Sequence, residues 1–176
     1  TANDGNGNTT NQSIAVTVTA VNDNTPVITS NAGGATAAVS IAENTSAVTT
    51  VTATDADLPG QTLTYSLVSG GDSSMFGSDA STCVFTFMSL FISEAPTDVG
   101  ANNVYDVTVQ VSDGTNTDTQ AIAVTVTGVN DNSPVFTSAA TANVAENSTA
   151  VLTVAATDAD LPGQTLTYTL NGGAES

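Results

Sequence analysis

Ala53-Thr-Asp-Ala-Asp-Leu-Pro-Gly-Gln-Thr-Leu-Thr-Tyr65 occurs a second time, unchanged, as Ala156 to Tyr168, 103 residues further on. Working outward from it, Val21-Asn-Asp-Asn-Thr-Pro26 returns as Val129-Asn-Asp-Asn-Ser-Pro134, and Ala42-Glu-Asn44 returns as Ala145-Glu-Asn147. A period of about 105 residues is one domain's length, so the chain reads as a window on a tandem array. The repeated residues that neither build a core nor form turns are mostly Asp, Glu and Asn. An oxygen-rich set recurring at the junction between repeats points to a bound hard cation, calcium first.

Composition narrows the function further. The chain has no Lys, Arg or His against 17 carboxylates, a formal charge of -17. Nucleic-acid binding requires cationic neutralisation of phosphate, and no side chain here supplies it. Attraction to an anionic membrane surface fails for the same reason. Catalysis is left with carboxylates, hydroxyls and one thiol, which removes most enzyme mechanisms. Paired carboxylates could in principle serve a glycosidase. Asp55 and Asp57 lie in a turn at a domain end, however, with no Trp anywhere in the chain. The expectation is a protein that is not an enzyme. Seventeen like charges repel in a compact state, so bound cations or a salty medium must offset them. Cys83 is the single cysteine and has no intrachain partner.

Apolar residues alternate with period two, and no segment sustains a helical period. Ile14, Val16 and Val18 form one such run, Leu63, Tyr65 and Leu67 a second, and Tyr105 to Val111 a third. Ile122, Val124 and Val126 repeat the first. Turn chemistry bounds them: Asp4-Gly5, Pro59-Gly60, Gly70-Gly71 and Asp113-Gly114. Short Thr- and Val-rich strands at this density predict an all-β fold, tandem antiparallel sandwiches. Residues 25–131 read as one complete domain. Residues 1–24 read as the closing strand of an earlier repeat, and 132–176 as the opening strands of a later one. Neither end can fold alone, because its apolar face and hydrogen-bonding edges stay open. Two readings of these ends stand side by side. In one, the chain is cut from a longer polypeptide, such as an adhesin stalk. In the other, the ends of neighbouring copies complete each other by strand addition along a fibre, though together they lack roughly forty residues of a whole domain.

Ala42-Glu-Asn44, Asp55-Ala-Asp57, Val111-Ser-Asp-Gly114 and Val129-Asn-Asp-Asn-Ser-Pro134 resemble the motifs of cadherin repeats, in the right order and along the whole chain. The flavour is that of the cadherin-like repeats of giant bacterial surface and matrix proteins. The resemblance implies tandem Greek-key sandwiches of the cadherin/immunoglobulin type, extracellular, with Ca2+ clamped at each junction. At the first junction it implies ligands from Asn22, Asp23 and Asn24 of the linker, with Asp55, Asp57 and Asp113. At the second it implies Glu43 and Glu94, the linker residues Asn130, Asp131 and Asn132, and Asp158 and Asp160. Asp4 occupies the position matching Asp113, and in the fibre reading it would complete the site at Asp158 and Asp160 of a neighbouring copy. The family's linker Asp is replaced by Ala20 and Gly128, and its mid-domain Asp-x-Glu by Ile92-Ser-Glu94, so fewer ions per junction are expected.

The resulting expectation is a calcium-rigidified structural or adhesive element. Its partners would be copies of itself or neighbouring repeats, without nucleic acid and without membrane insertion. A carbohydrate-binding module of a secreted hydrolase is a further alternative, which would require an exposed row of aromatics. Glycans are a possible addition at the Asn-x-Ser/Thr sites Asn8, Asn11, Asn44 and Asn147. The apolar stretch Val84 to Ile92 reads either as a core strand running into a buried loop or as a contact patch. Cys83 stands where relatives carry the Gly of a turn.

Overall fold

The computed structural model describes residues 1–172; the last four residues of the expected 132–176 repeat lie outside it. Thirteen strands follow in chain order: β1 (Ala2–Asn3), β2 (Thr9–Thr10), β3 (Val27–Ile28), β4 (Thr36–Ala42), β5 (Ala47–Thr50), β6 (Ala53–Thr54), β7 (Thr64–Val68), β8 (Phe76–Ser78), β9 (Val84–Phe87), β10 (Val104–Ser112), β11 (Thr117–Thr127), β12 (Val135–Phe136) and β13 (Ala156–Thr157). The long runs of alternating Val and Thr become the longest strands. In β10, Tyr105, Val107, Val109 and Val111 all point inward, and in β11 Ile122, Val124 and Val126 do the same.

Two layers enclose the core. One is a four-stranded sheet in the order β4-β11-β10-β7. The other is the three-stranded sheet β5-β9-β8, continued by the pair β3-β6. Thr29 N–H donates to Thr52 O and Val51 N–H to Cys83 O, which stitches β3, β5 and β9 together across the break between β5 and β6. The sandwich is not purely antiparallel as expected. β4 runs parallel to β11, from Thr36 beside Ala121 to Ala42 beside Thr127. The chain enters along β3 in one layer and crosses to the edge of the other. Gln120, fully buried, holds that crossover by donating to Gly34 O at 2.7 Å while Asn31 donates to its own oxygen at 3.2 Å.

The stretch Val84 to Ile92 divides. Phe85 and Phe87 are core residues, and Phe87 meets Phe76, Phe91 and Tyr105 with ring centroids 4.5–5.1 Å apart. Met88, Leu90 and Ile92 lie exposed. Cys83 adopts φ +60°, a left-handed conformation that favours Gly, and its side chain packs against the core edge.

Outside 27–127 the described residues form only the two-residue pairs β1–β2 and β12–β13, far less than the strands expected there. Ile14, Val16 and Val18 stand unpaired, with Val16 81 % exposed. A strand's hydrogen bonds come from its neighbours, and in the opening segment β1 and β2 pair only with each other. In the closing segment β12 pairs with β13, while Phe136 (68 % exposed) and Tyr168 remain open. Their counterparts Ile28 and Tyr65 are 2 % and 7 % exposed, being covered by the rest of the sandwich. Among the described residues no helix is long and apolar enough to cross a membrane.

Candidate metal centre

The Asp-Ala-Asp turn after β6 and the Asp-Gly turn between β10 and β11 meet at one end of the sandwich. Carboxylate oxygens of Asp55, Asp57 and Asp113 all lie within 4.8 Å of one another. Each is held by backbone. Asp57 N–H donates to Asp55 Oδ1 at 2.9 Å, and Thr115 and Asn116 N–H donate to Asp113 Oδ1 at 2.7 and 2.6 Å. The linker closes over them: Asn24 N–H donates to Asp57 Oδ2 at 3.0 Å, its side-chain amide also reaches Asp57 Oδ1, and Asn116 Nδ2 donates to Asn24 O at 2.7 Å. Asp23 is exposed and accepts only from the Asn24 amide, at 3.3 Å.

One feature of this end calls for a cation. Asp55 Oδ2 is buried with no hydrogen-bond partner. The Asn22 amide lies between Asp57 and Asp113; oriented to satisfy them, its nitrogen donates to Asp57 Oδ2 at 3.2 Å and to Asp113 Oδ2 at 2.9 Å. The donors are all carboxylate and amide oxygens, which suit a hard ion of the calcium type. Burial by itself raises the Asp113 carboxyl, but the bonds from Asn116, Thr115 and Asn22 outweigh it and leave the group below its ordinary value.

At the other end, Glu43 is 3 % exposed and fully engaged. Ser93 N–H donates to its Oε2 at 2.8 Å and Val129 N–H to its Oε1 at 2.6 Å. Ser93 Oγ donates to Glu94 Oε1 at 2.8 Å, and Leu161 N–H reaches the same oxygen at 3.3 Å. Glu94 is lowered chiefly by that serine. Asp131 accepts from Asn44 Nδ2 at 2.8 Å. It is raised, first by desolvation and then by the charges of Glu43, Asp160 and Glu94. Asn132 donates to Asp160 Oδ1 through both its backbone (3.0 Å) and its side chain (2.8 Å), and Asp160 N–H donates to Asp158 Oδ1 at 3.0 Å. Asn132's side chain is the main reason Asp160 is lowered. Asp160 is 1 % exposed, and its Oδ2 is buried without a partner. Asn130 faces Asp158 across a cleft with Phe136 and Tyr168.

The structure therefore brings Asp55, Asp57 and Asp113 together with Asn22 and Asn24, and it gathers Glu43, Glu94, Asp131 and Asp160 around the second linker. Asp4 stands apart in the β1–β2 turn, accepting from Asn6 and Asn8 N–H at 2.8 and 3.1 Å. Sequence reasoning missed Ser93, which joins Glu43 to Glu94, and Asn44 and Asn116, which tie linker to sandwich. Their only signal was position beside a motif. Gly128, where the family carries an acid, has a physical explanation. A Cβ there would run into the Leu161 carbonyl and lie 2.8 Å from Ser93 Oγ, so the close approach of the Leu161 loop excludes any side chain.

A β-sandwich with an oxygen cluster where a linker meets it defines the class: a modular all-β repeat. Against curated proteins, the chain is 34 % identical over 158 residues to protocadherin Fat 1 of Homo sapiens, a match of 85 % of this chain and 3 % of that protein. It is 37 % identical over 156 residues to cadherin EGF LAG seven-pass G-type receptor 2 of Homo sapiens, covering 86 % of this chain and 5 % of the relative. Among solved structures it matches protocadherin Gamma B2 extracellular cadherin domains 3-6, with TM-score 0.61 and 25 % identity over 81 % of this chain and 37 % of that one. Drosophila N-cadherin EC1-4 shares the fold, with TM-score 0.59 and 22 % identity over 77 % and 34 % of the two chains. No protein-family model matches. By sequence and by fold the chain is a cadherin-like repeat segment of the extracellular type, and it spans only 3–5 % of the length of the curated relatives it matches.

Proposed function

We propose that this chain is a segment of an adhesive rod whose joints are stiffened by calcium, with one whole repeat at 25–131 flanked by parts of two others at 1–24 and 132–176. The observation that carries the reading is the convergence of Asp55, Asp57 and Asp113 on the Asn22 amide, beside a buried carboxylate oxygen with no partner. Calcium supplies, when bound, the positive charge that these oxygens lack. The first site would comprise Asn22, Asp23, Asn24, Asp55, Asp57 and Asp113. The second would comprise Glu43, Glu94, Asn130, Asp131, Asn132, Asp158 and Asp160. Each set draws on a linker and on the sandwich it meets, so an ion there opposes bending of the joint. It also offsets part of a charge of -17 that has no internal counter-charge.

Copies joined end to end into a filament by strand complementation are the finer form of this reading. A stalk of such repeats within a longer polypeptide is the alternative form. The carbohydrate-module alternative has less behind it: Tyr65 and Tyr105 are core residues, and the exposed Phe136 and Tyr168 make a pair rather than a row. Asn8, Asn11, Asn44 and Asn147 are all exposed, but the Asn44 amide is engaged by Asp131, so a glycan there would compete with the second linker.

Titration with terbium, a luminescent calcium mimic, tests the calcium reading directly. Sensitised emission from the wild-type chain, displaced by calcium and reduced to the share of the second site in Asp55→Asn/Asp57→Asn, is the expected result. Equal emission from the double variant would remove the first site.

A further inference from the structure

We propose that the base of the sandwich holds a seat for the Leu161 loop that closes without an ion, and that Gly128 is the residue that permits it. This rests on the reading of the chain as jointed repeats and concerns how the second joint behaves once calcium is removed. Leu161 belongs to the repeat that follows, yet its backbone is held from two sides. Its N–H donates to Glu94 Oε1 at 3.3 Å. Its carbonyl lies against Gly128 in the space a Cβ would fill, with the carbonyl carbon 2.9 Å from that position. The Leu161 side chain is 48 % exposed, so backbone groups rather than apolar packing make the contact.

Protein donors satisfy the polar groups that build the seat. Ser93 is buried, and it donates from its N–H to Glu43 Oε2 and from its Oγ to Glu94 Oε1, both at 2.8 Å. Asn103 Nδ2 fixes Ser93 from behind by donating to its carbonyl at 2.7 Å. Val129 N–H takes the other oxygen of Glu43, Asn44 donates to Asp131, and Asn132 donates to Asp160. A line of hydrogen bonds therefore runs from sandwich through linker to the next repeat, and no bond in it requires a cation. Repulsion works against closure, because the charges of Glu43, Asp160 and Glu94 all bear on Asp131. Each of these four carboxylates accepts at least one of the bonds, which disperses its charge at contact distance. At about 0.15 M salt, repulsion beyond roughly 8 Å is screened while contact hydrogen bonds are not. Closure wins under those conditions. Asp160 Oδ2, buried and unpartnered, stays available to an ion that stiffens a joint already shut.

One residue distinguishes the two joints. Both linkers read Val-Asn-Asp-Asn, and Leu58 is the counterpart of Leu161 in an identical loop. The residue before the linker is Gly128 in one and Ala20 in the other. Ala20 brings the Cβ that the seat excludes, so Leu58 cannot be received there in the same way.

Amide hydrogen exchange on the full 176-residue chain, in chelator and about 0.15 M salt with calcium-loaded samples alongside, tests the seat. The Leu161 and Val129 amides should stay nearly as protected in chelator as in calcium. Gly128→Ala should speed exchange at Leu161 roughly tenfold or more while the amides of β10 and β11 keep their protection. Ser93→Ala, which leaves Gly128 untouched, should do the same to a smaller degree by freeing Glu94. Leu161→Ala should leave the amide at that position protected, because the side chain takes no part. A wild-type Leu161 amide protected in calcium and free in chelator overturns the seat, and so does unchanged protection in Gly128→Ala. Terbium emission from the same samples separates the two ideas. Its absence removes the calcium reading, whereas the seat stands or falls on Leu161 protection alone.

Discussion

The two linkers have the same sequence, Val-Asn-Asp-Asn, yet they sit in different surroundings. At the first, one end of the sandwich supplies three converging carboxylates, and residues 11–21 approach it exposed. At the second, the base of the sandwich is in place, and the Leu161 loop presses onto Gly128 and Glu94. Ala20 occupies the position of Gly128 and stays exposed, because no loop meets it. Identical linker chemistry thus yields an electrostatically primed end in one place and a sterically closed one in the other. A junction needs contributions from both of its neighbours, and the sequence of the linker says nothing about which of them are present.

The comparison can be broken most forcefully in the core. Phe85→Ala should cost the sandwich about 3–5 kcal/mol, because it empties a buried site. Phe136→Ala, in the open segment, should cost less than about 0.5 kcal/mol. Urea denaturation of both variants checks this, and equal losses would mean that the closing segment is packed in solution.

Calcium removal comes next. At an ion concentration about a hundredfold above its dissociation constant, linkage contributes roughly 2.7 kcal/mol. For a sandwich of about this size that is a melting shift on the order of 10–20 °C. Asp55→Asn/Asp57→Asn should remove most of it, whereas Asp158→Asn/Asp160→Asn should remove less, since its cluster lacks a counterpart of Asp113. Reversal of that order in calorimetry would invert the assignment of the stronger site.

Glu43→Gln should lower stability by about 1–3 kcal/mol even in chelator, because the Ser93 and Val129 N–H groups lose a charged acceptor. Hydrogen exchange at those two amides reports it locally. Gly128→Ala should loosen the contact with Leu161, while Ala20→Gly should leave the first linker unchanged.

Acid sharpens the comparison by sign. Asp113 is held below its ordinary value of 3.8, so its contribution is present above that pH and is lost as pH falls through the folded value. Asp131 is raised above 3.8, so its contribution is present below that pH and is lost as pH rises through the folded value. In chelator, acidification through pH 4 should weaken the first junction, while protonation of Asp131 opposes the losses of Glu94 and Asp160 at the second. Carboxyl NMR titration of Asp113 and Asp131 measures both, and shifts of the same sign would contradict the burial and charge environment described for Asp131.

Much of this was legible in the residues. Period-two alternation located β7, β10 and β11 and identified their inward side chains, because a pleated strand puts every second residue on one face. The Asp-Ala-Asp and Asp-Gly turns located Asp55, Asp57 and Asp113, since short turns fix a carboxylate relative to its own backbone. The same alternation at Ile14 to Val18 did not produce a strand. Alternation encodes only which face is apolar, and a ladder needs a partner that the sequence pattern does not supply.

What the sequence determined by itself is local: the repeat, the strand faces, the turns, and a charge that only cations can offset. Tertiary structure decided whatever depends on two distant segments meeting. It set β4 parallel to β11, turned the Asn22 amide toward Asp57 and Asp113, and buried Glu43 between the Ser93 and Val129 amides. It also closed Gly128 against Leu161, leaving no room for the acid that the family carries there. Such contacts depend on how the crossovers of the chain are laid across two layers, and neighbouring residues alone do not encode that path.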